Sequence, residues 1–102
     1  IHFNAGAGDE KGNGKTTGTE VYVYSATSAA KPAAERVVKQ IEDLGFKNRD
    51  VKIRTDLYVL HRTNSPAMLI ECCFVDDKDD VELYDYKKMA AAIVDGILGK
   101  SV

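Results

Sequence analysis

Pro66-Ala67-Met68-Leu69-Ile70-Glu71-Cys72-Cys73-Phe74-Val75 is the stretch on which the fold turns. Ala67, Met68, Leu69 and Ile70 form a continuous apolar run, the pattern of a strand buried on both faces. The run stops at Glu71, so the spacing predicts a strand whose end carries a carboxylate. In open α/β sheets, ligands bind beyond the carboxyl ends of strands. A carboxylate held there among apolar neighbours has its pKa raised toward the range useful for general acid or base work. Spacing alone leaves a second reading equally open, in which Glu71 turns to solvent or bonds backbone amides.

Cys72 and Cys73 are the only cysteines. They lack the spacing of a disulfide framework or a zinc ribbon. On a strand they would point to opposite faces, so they read as small buried hydrophobes kept reduced. Downstream, Asp76-Asp77-Lys78-Asp79-Asp80-Val81-Glu82 concentrates acidic charge. It lacks the glycine and the distal glutamate of a calcium loop, so it reads as a solvated loop leading into an acid-rich helix start. A short helix is expected over residues 80–84 and a longer one over residues 86–98. The inner stripe of the latter would be Met89, Ala90, Ile93, Val94 and Ile97, with Gly99 as its terminator.

Upstream, Asn64-Ser65-Pro66 marks a turn. Leu57-Tyr58-Val59-Leu60 reads as a strand. Lys47, Arg49, Lys52 and Arg54 make a basic, irregular stretch, either facing anionic groups or simply solvated. Ala34, Val37, Val38, Ile41 and Leu44 recur at helical spacing. Ser28 stands at the helix start, Pro32 in its first turn and Gly45 past its end. Glu20-Val21-Tyr22-Val23-Tyr24 is a strand by its β-branched and aromatic content, and Glu20 at its start reads as structural.

Residues 5–18 hold five of the eight glycines and read as a long loop. Gly12-Asn13-Gly14-Lys15-Thr16 imitates the end of a P-loop, but the earlier glycine is missing and a strand follows. Ile1-His2-Phe3 opens the chain as the end of a strand. A neutral imidazole at His2 can ligate a metal, although a lone histidine by itself reads as a surface or core residue. His61, beside Arg62, reads as structural. The alternation of strands and helices predicts an α/β sheet with helices packed on it.

At 102 residues and 11.2 kDa, the chain is sized for a single folding unit. With 44% hydrophobic and 29% charged residues, it has a globular composition and no apolar run long enough for a membrane span. The net charge of −2 provides no basic surplus for nucleic acid.

Several of these motifs occur together and in a recognisable order: Ile1-His2-Phe3-Asn4-Ala5, Gly18-Thr19-Glu20-Val21-Tyr22-Val23-Tyr24-Ser25, Asn48-Arg49-Asp50-Val51-Lys52, Leu57-Tyr58-Val59-Leu60 and the stretch from Pro66 to Val75. As an ordered set they resemble the zinc-dependent N-acetylmuramoyl-L-alanine amidases of the Amidase_3 type, most of all clostridial and clostridial-phage lysins. The resemblance covers nearly the whole chain. It implies an α/β fold, a mostly parallel twisted sheet flanked by helices with zinc at its edge.

In that family, zinc is held by a histidine of an early Gly-His motif, a glutamate on the next helix and the histidine of a Ser-x-His-x-Asn motif. His2 matches the third ligand. Asn4 matches the motif's asparagine and is expected to contact substrate. Glu71 matches the catalytic glutamate of a motif ending Glu-x-Gly-Phe, with Cys73 in place of the glycine. The first two ligands have no counterpart in residues 1–102 and are expected upstream of Ile1. The chain also begins with Ile1 rather than Met, so residues 1–102 are expected to be the C-terminal portion of a single catalytic domain, inactive alone.

The resemblance further implies hydrolysis of the amide joining N-acetylmuramic acid to L-alanine, with peptidoglycan and the upstream part of the domain as partners. It places the protein outside the cell, at the bacterial wall. The rival expectation is a non-catalytic wall-binding or interaction fragment that keeps the amidase scaffold.

Overall fold

The computed structural model describes residues 1–6, 16–61 and 65–99. Most of the glycine-rich loop, including the P-loop-like Gly12 to Lys15, and Asn64 of the expected turn lie outside the described residues. The elements run β1 (His2–Asn4), β2 (Thr19–Val23), α1 (Lys31–Glu42), β3 (Asn48–Ile53), α2 (Tyr58–His61), β4 (Leu69–Phe74), α3 (Lys78–Leu83) and α4 (Tyr86–Leu98). The four strands form one sheet in the order β1-β4-β2-β3. β1 pairs with β4 and β2 with β3 in parallel, while β2 and β4 are antiparallel. The expected α/β fold with a mostly parallel sheet and flanking helices is the one found.

Alternation along the strands sorts side chains onto two faces. Val21, Val23, Ile70 and Cys72 join the helical residues Ala34, Val37, Val38, Ile41, Met89, Ala92 and Ile93 in one buried core. Burial of each such Val or Ile side chain contributes about 1.5–3 kcal/mol. The opposite face carries the polar residues described below.

Several local expectations are corrected. β4 does not stop at Glu71 but continues to Phe74. It lies between β1 and β2, so both its edges are paired and its apolar residues are buried almost throughout. Tyr58–His61 is a short helix rather than a strand; four residues are too few for periodicity to separate the two. The stretch holding Arg49 and Lys52 is the strand β3, and these two cations are taken up by a partner on the sheet. α1 begins at Lys31 with Ala30 as a cap that makes no side-chain bond, and Ser28 acts one turn earlier by accepting the Ala30 N–H at 3.2 Å.

The acidic run leads into an acid-rich helix start as expected, but two of its carboxylates, Asp77 and Asp80, are buried rather than solvated. Asp77 caps α3 by accepting the Asp80 N–H, and both residues are buried. The Asp80 carboxylate accepts from the Thr17 hydroxyl (2.7 Å), the Gly18 N–H (2.9 Å) and the Phe74 N–H (2.8 Å). It therefore pins the approach to β2 against the end of β4.

α4 spans the expected residues, and Gly99 ends it with φ 73°. Its buried stripe is different: Met89, Ala92, Ile93 and Gly96 face inward, while Val94 and Ile97 are about half exposed. Gly96 decides the rotation. A Cβ there would sit 2.6 Å from the Val37 Cα, so α1 and α4 cross in backbone contact at this glycine.

Candidate active site

The polar face of the sheet is organised by register. Glu71 on β4 is the direct partner of His2 on β1 and of Glu20 on β2. Directly opposed residues project from the same face with Cβ atoms about 5 Å apart. The topology thus aligns residues 2, 20 and 71 across three adjacent strands.

His2 Nδ1 lies 3.9 Å from Glu71 Oε1. The His2 side chain is 62% exposed and that of Glu71 only 13%. Glu71 Oε2 is buried and has no hydrogen-bond partner. Burial pushes the Glu71 carboxyl above its ordinary value, the neighbouring His2 opposes this and Glu20 adds to it. An incompletely satisfied carboxylate in an otherwise apolar strand has a proton affinity suited to acid–base work.

Glu20 sits beside it in the opposite condition. It is 3% exposed. Its Oε1 accepts from the Asn4 amide (3.1 Å) and the Tyr22 hydroxyl, and its Oε2 from Lys52 Nζ (2.6 Å) and Arg49 Nε (3.3 Å). Burial alone would raise its pKa, but the bonds from Lys52, Tyr22 and Arg49 outweigh burial and hold the carboxyl below its ordinary value. Tyr22 is affected in the reverse sense: burial and the Glu20 carboxylate push its phenol up to about 12.

The structure therefore brings His2 and Glu71 together. It places Asn4 two residues along β1, with its amide nitrogen on Glu20 and its oxygen accepting the Ala5 N–H at 3.0 Å. Arg49 and Lys52 are residues of this face, both bonded to Glu20, where the sequence leaves them either facing anionic groups or solvated. Their signal was present in the charges, but their convergence on Glu20 depends on strand register. His61 lies in α2 near the rings of Tyr24 and Tyr58, away from these groups. Cys72 and Cys73 are free and buried. Burial raises both thiols, that of Cys73 to about 12, so neither is poised as a nucleophile.

A zinc ion bound for catalysis takes three protein ligands. His2 fits as one of them: an accessible imidazole beside a partly buried carboxylate. Among the described residues, no three His, Cys, Asp or Glu side chains converge as a metal site.

A protein-family profile described as N-acetylmuramoyl-L-alanine amidase matches residues 1–99. The endolysin of Bacillus phage SPP1 is 34% identical over 90 residues, covering 81% of this chain and 30% of that protein. The N-acetylmuramoyl-L-alanine amidase CwlM of Bacillus licheniformis is 32% identical over 84 residues, covering 80% and 30%. Among solved structures, the catalytic domain of the CD27L endolysin targeting Clostridia difficile superposes with a TM-score of 0.84 at 32% identity, covering 99% of this chain and 53% of that one. The chain spans about half of that catalytic domain and no more than about a third of the curated relatives.

Proposed function

The chain belongs to the N-acetylmuramoyl-L-alanine amidase family, Amidase_3, and from that membership we propose that it forms the later portion of a catalytic domain that hydrolyses the amide between N-acetylmuramic acid and L-alanine in peptidoglycan. The observation that carries the reading is the His2–Glu71 pair: an exposed imidazole in strand register with a carboxyl that is partly buried, incompletely bonded and raised in pKa.

In this reading His2 is one zinc ligand, and the others come from a part of the domain outside residues 1–102. Zinc, when bound, polarises the scissile carbonyl and makes water more acidic. Glu71 Oε1, the oxygen that faces His2, takes the proton from the attacking water and returns it to the departing L-alanine amine. Asn4 lies on the same face, its side chain held by Glu20 and the Ala5 N–H, and in this reading it borders the substrate beside His2.

The remaining half of the domain is proposed to join at the β1 edge of the sheet. Ile1, Phe3, Val75 and Val81 leave apolar surface exposed there, and Phe3, Phe74, Val75, Val81 and Tyr84 line a groove of about 270 Å³. The substrate sets the place of action, the bacterial wall outside the membrane. No described helix is long and apolar enough to cross a membrane.

The test is Glu71→Gln in the complete domain. The amide keeps the size of the side chain but cannot take the proton. The expected result is a fall in wall lysis of about 100-fold or more with zinc content unchanged. Near-normal lysis would remove Glu71 from the mechanism.

A further inference from the structure

Four residues from three strands meet at one buried carboxylate, that of Glu20. Asn4, Tyr22, Arg49 and Lys52 all donate to Glu20, on three different strands. Arg49 and Lys52 are three positions apart, and on a regular strand they would point to opposite faces. A bulge removes the difficulty. β3 spends three residues between Asn48 and Val51 where β2 spends two between Thr19 and Val21. The extra residue is accommodated at Asp50, which has φ 72° and whose N–H is held by Asn48 Oδ1 at 2.7 Å. Bulges beside functional sites commonly re-aim a side chain. Here the bulge brings a second cation onto the face that carries Glu20.

That second cation has a reason. Glu20 and Glu71 are direct cross-strand partners, and like charges so placed repel. Neutralising Glu20 twice allows it to stay ionised beside Glu71. An ionised Glu20 can in turn reach across β4 and hold the amide of Asn4, which lies on the strand of His2. β1 is only three residues long and its ring-bearing His2 is exposed. The backbone pairing with β4 shifts register between His2 and Asn4. A side-chain anchor therefore supplements a short, irregular ladder.

We infer that Glu20 is a positioning residue: its buried carboxylate, held by Arg49 and Lys52, clamps Asn4 and thereby sets where His2 stands relative to Glu71. The catalytic part of this inference rests on the amidase reading; the placement of His2 does not.

The test is a swap of polarity. Asn4→Asp alone sets two carboxylates against each other. Glu20→Gln alone weakens the hold of Lys52 and Arg49. Together, Asn4→Asp and Glu20→Gln restore one donor, one acceptor and one negative charge. All variants are made in the complete domain. Two quantities are read: the imidazole nitrogen resonances of His2, which need neither metal nor activity, and kcat with KM on peptidoglycan fragments.

Each single variant is expected to shift the His2 resonances, and Glu20→Gln is expected to lower kcat at least tenfold with KM within about twofold. The double variant is expected to recover the His2 resonances to near the parent, whatever it does to turnover. A merely structural Glu20 would lower Tm while leaving the His2 resonances and kcat per folded molecule in place, and that result overturns the inference. So does a double variant whose His2 resonances are no nearer the parent than those of the singles. If a single variant fails to fold, the double variant alone decides: parental resonances support the clamp and displaced ones refute it. A parent domain that binds His2-shifting zinc but cleaves nothing overturns the hydrolase reading, while the resonances still judge the clamp.

Discussion

Glu20 and Glu71 are the same residue type, one strand apart and in register, yet their surroundings drive them in opposite directions. Four donors hold Glu20 ionised, whereas Glu71 has one buried oxygen with no partner. In the proposed function, such a divergence separates a supporting carboxylate from a working one. It also has a consequence for stability. A carboxyl whose folded pKa lies below its unfolded value of about 4.5 stabilises the fold above that pH. The contribution is lost as the pH falls through the folded value. Glu20→Gln should therefore cost about 2 kcal/mol at pH 7, the scale of hydrogen bonds to a charged group. Urea unfolding at pH 7 and at pH 3 should show the gap between parent and variant shrinking on acidification. A gap that stayed constant would mean that Glu20 does not titrate as described.

At the scale of elements, the contact of α1 with α4 depends on a residue with no side chain. Gly96 is placed so that a Cβ would fall 2.6 Å from Val37 Cα and 2.8 Å from Val37 N. Arg36 reinforces the crossing by donating from Nε to the Gly96 carbonyl at 2.9 Å. Gly96→Val should separate the helices and lower stability by about 1–3 kcal/mol or more, read as a lower midpoint in thermal or urea unfolding. Intrinsic helix propensity argues the other way, because Gly within a helix is unfavourable by up to about 1 kcal/mol relative to Ala. The sign of the measured change thus tells whether packing or propensity governs this position.

For the molecule as a whole, α1 and α4 cover one face of the sheet and the other bears the row of His2, Glu20 and Glu71. His2 alone supplies an imidazole there. Residues 1–102 by themselves are therefore expected to bind zinc weakly and not to lyse walls. Metal analysis after dialysis checks this: stoichiometric, tightly held zinc in this polypeptide would show that the other ligands lie within it.

Much of this was legible in the residues. The apolar run ending in Glu71, the β-rich segment after the glycine loop and the 3–4 spacing of α1 and α4 report local physics. Alternation and helical periodicity are set by the backbone itself. Their ordered motifs were enough to mark the family resemblance and to single out His2 and Glu71. Tertiary structure alone decided the rest. It inserted β4 between β1 and β2, which put residues 2, 20 and 71 in one row. It made Arg49 and Lys52 partners of one carboxylate through a bulge at Asp50. It buried Asp77 and Asp80, whose composition had read as solvated surface. The physical reason is common to all three. A strand's register and a carboxylate's donors are set by chain segments tens of residues away, and no local pattern encodes which of them arrive.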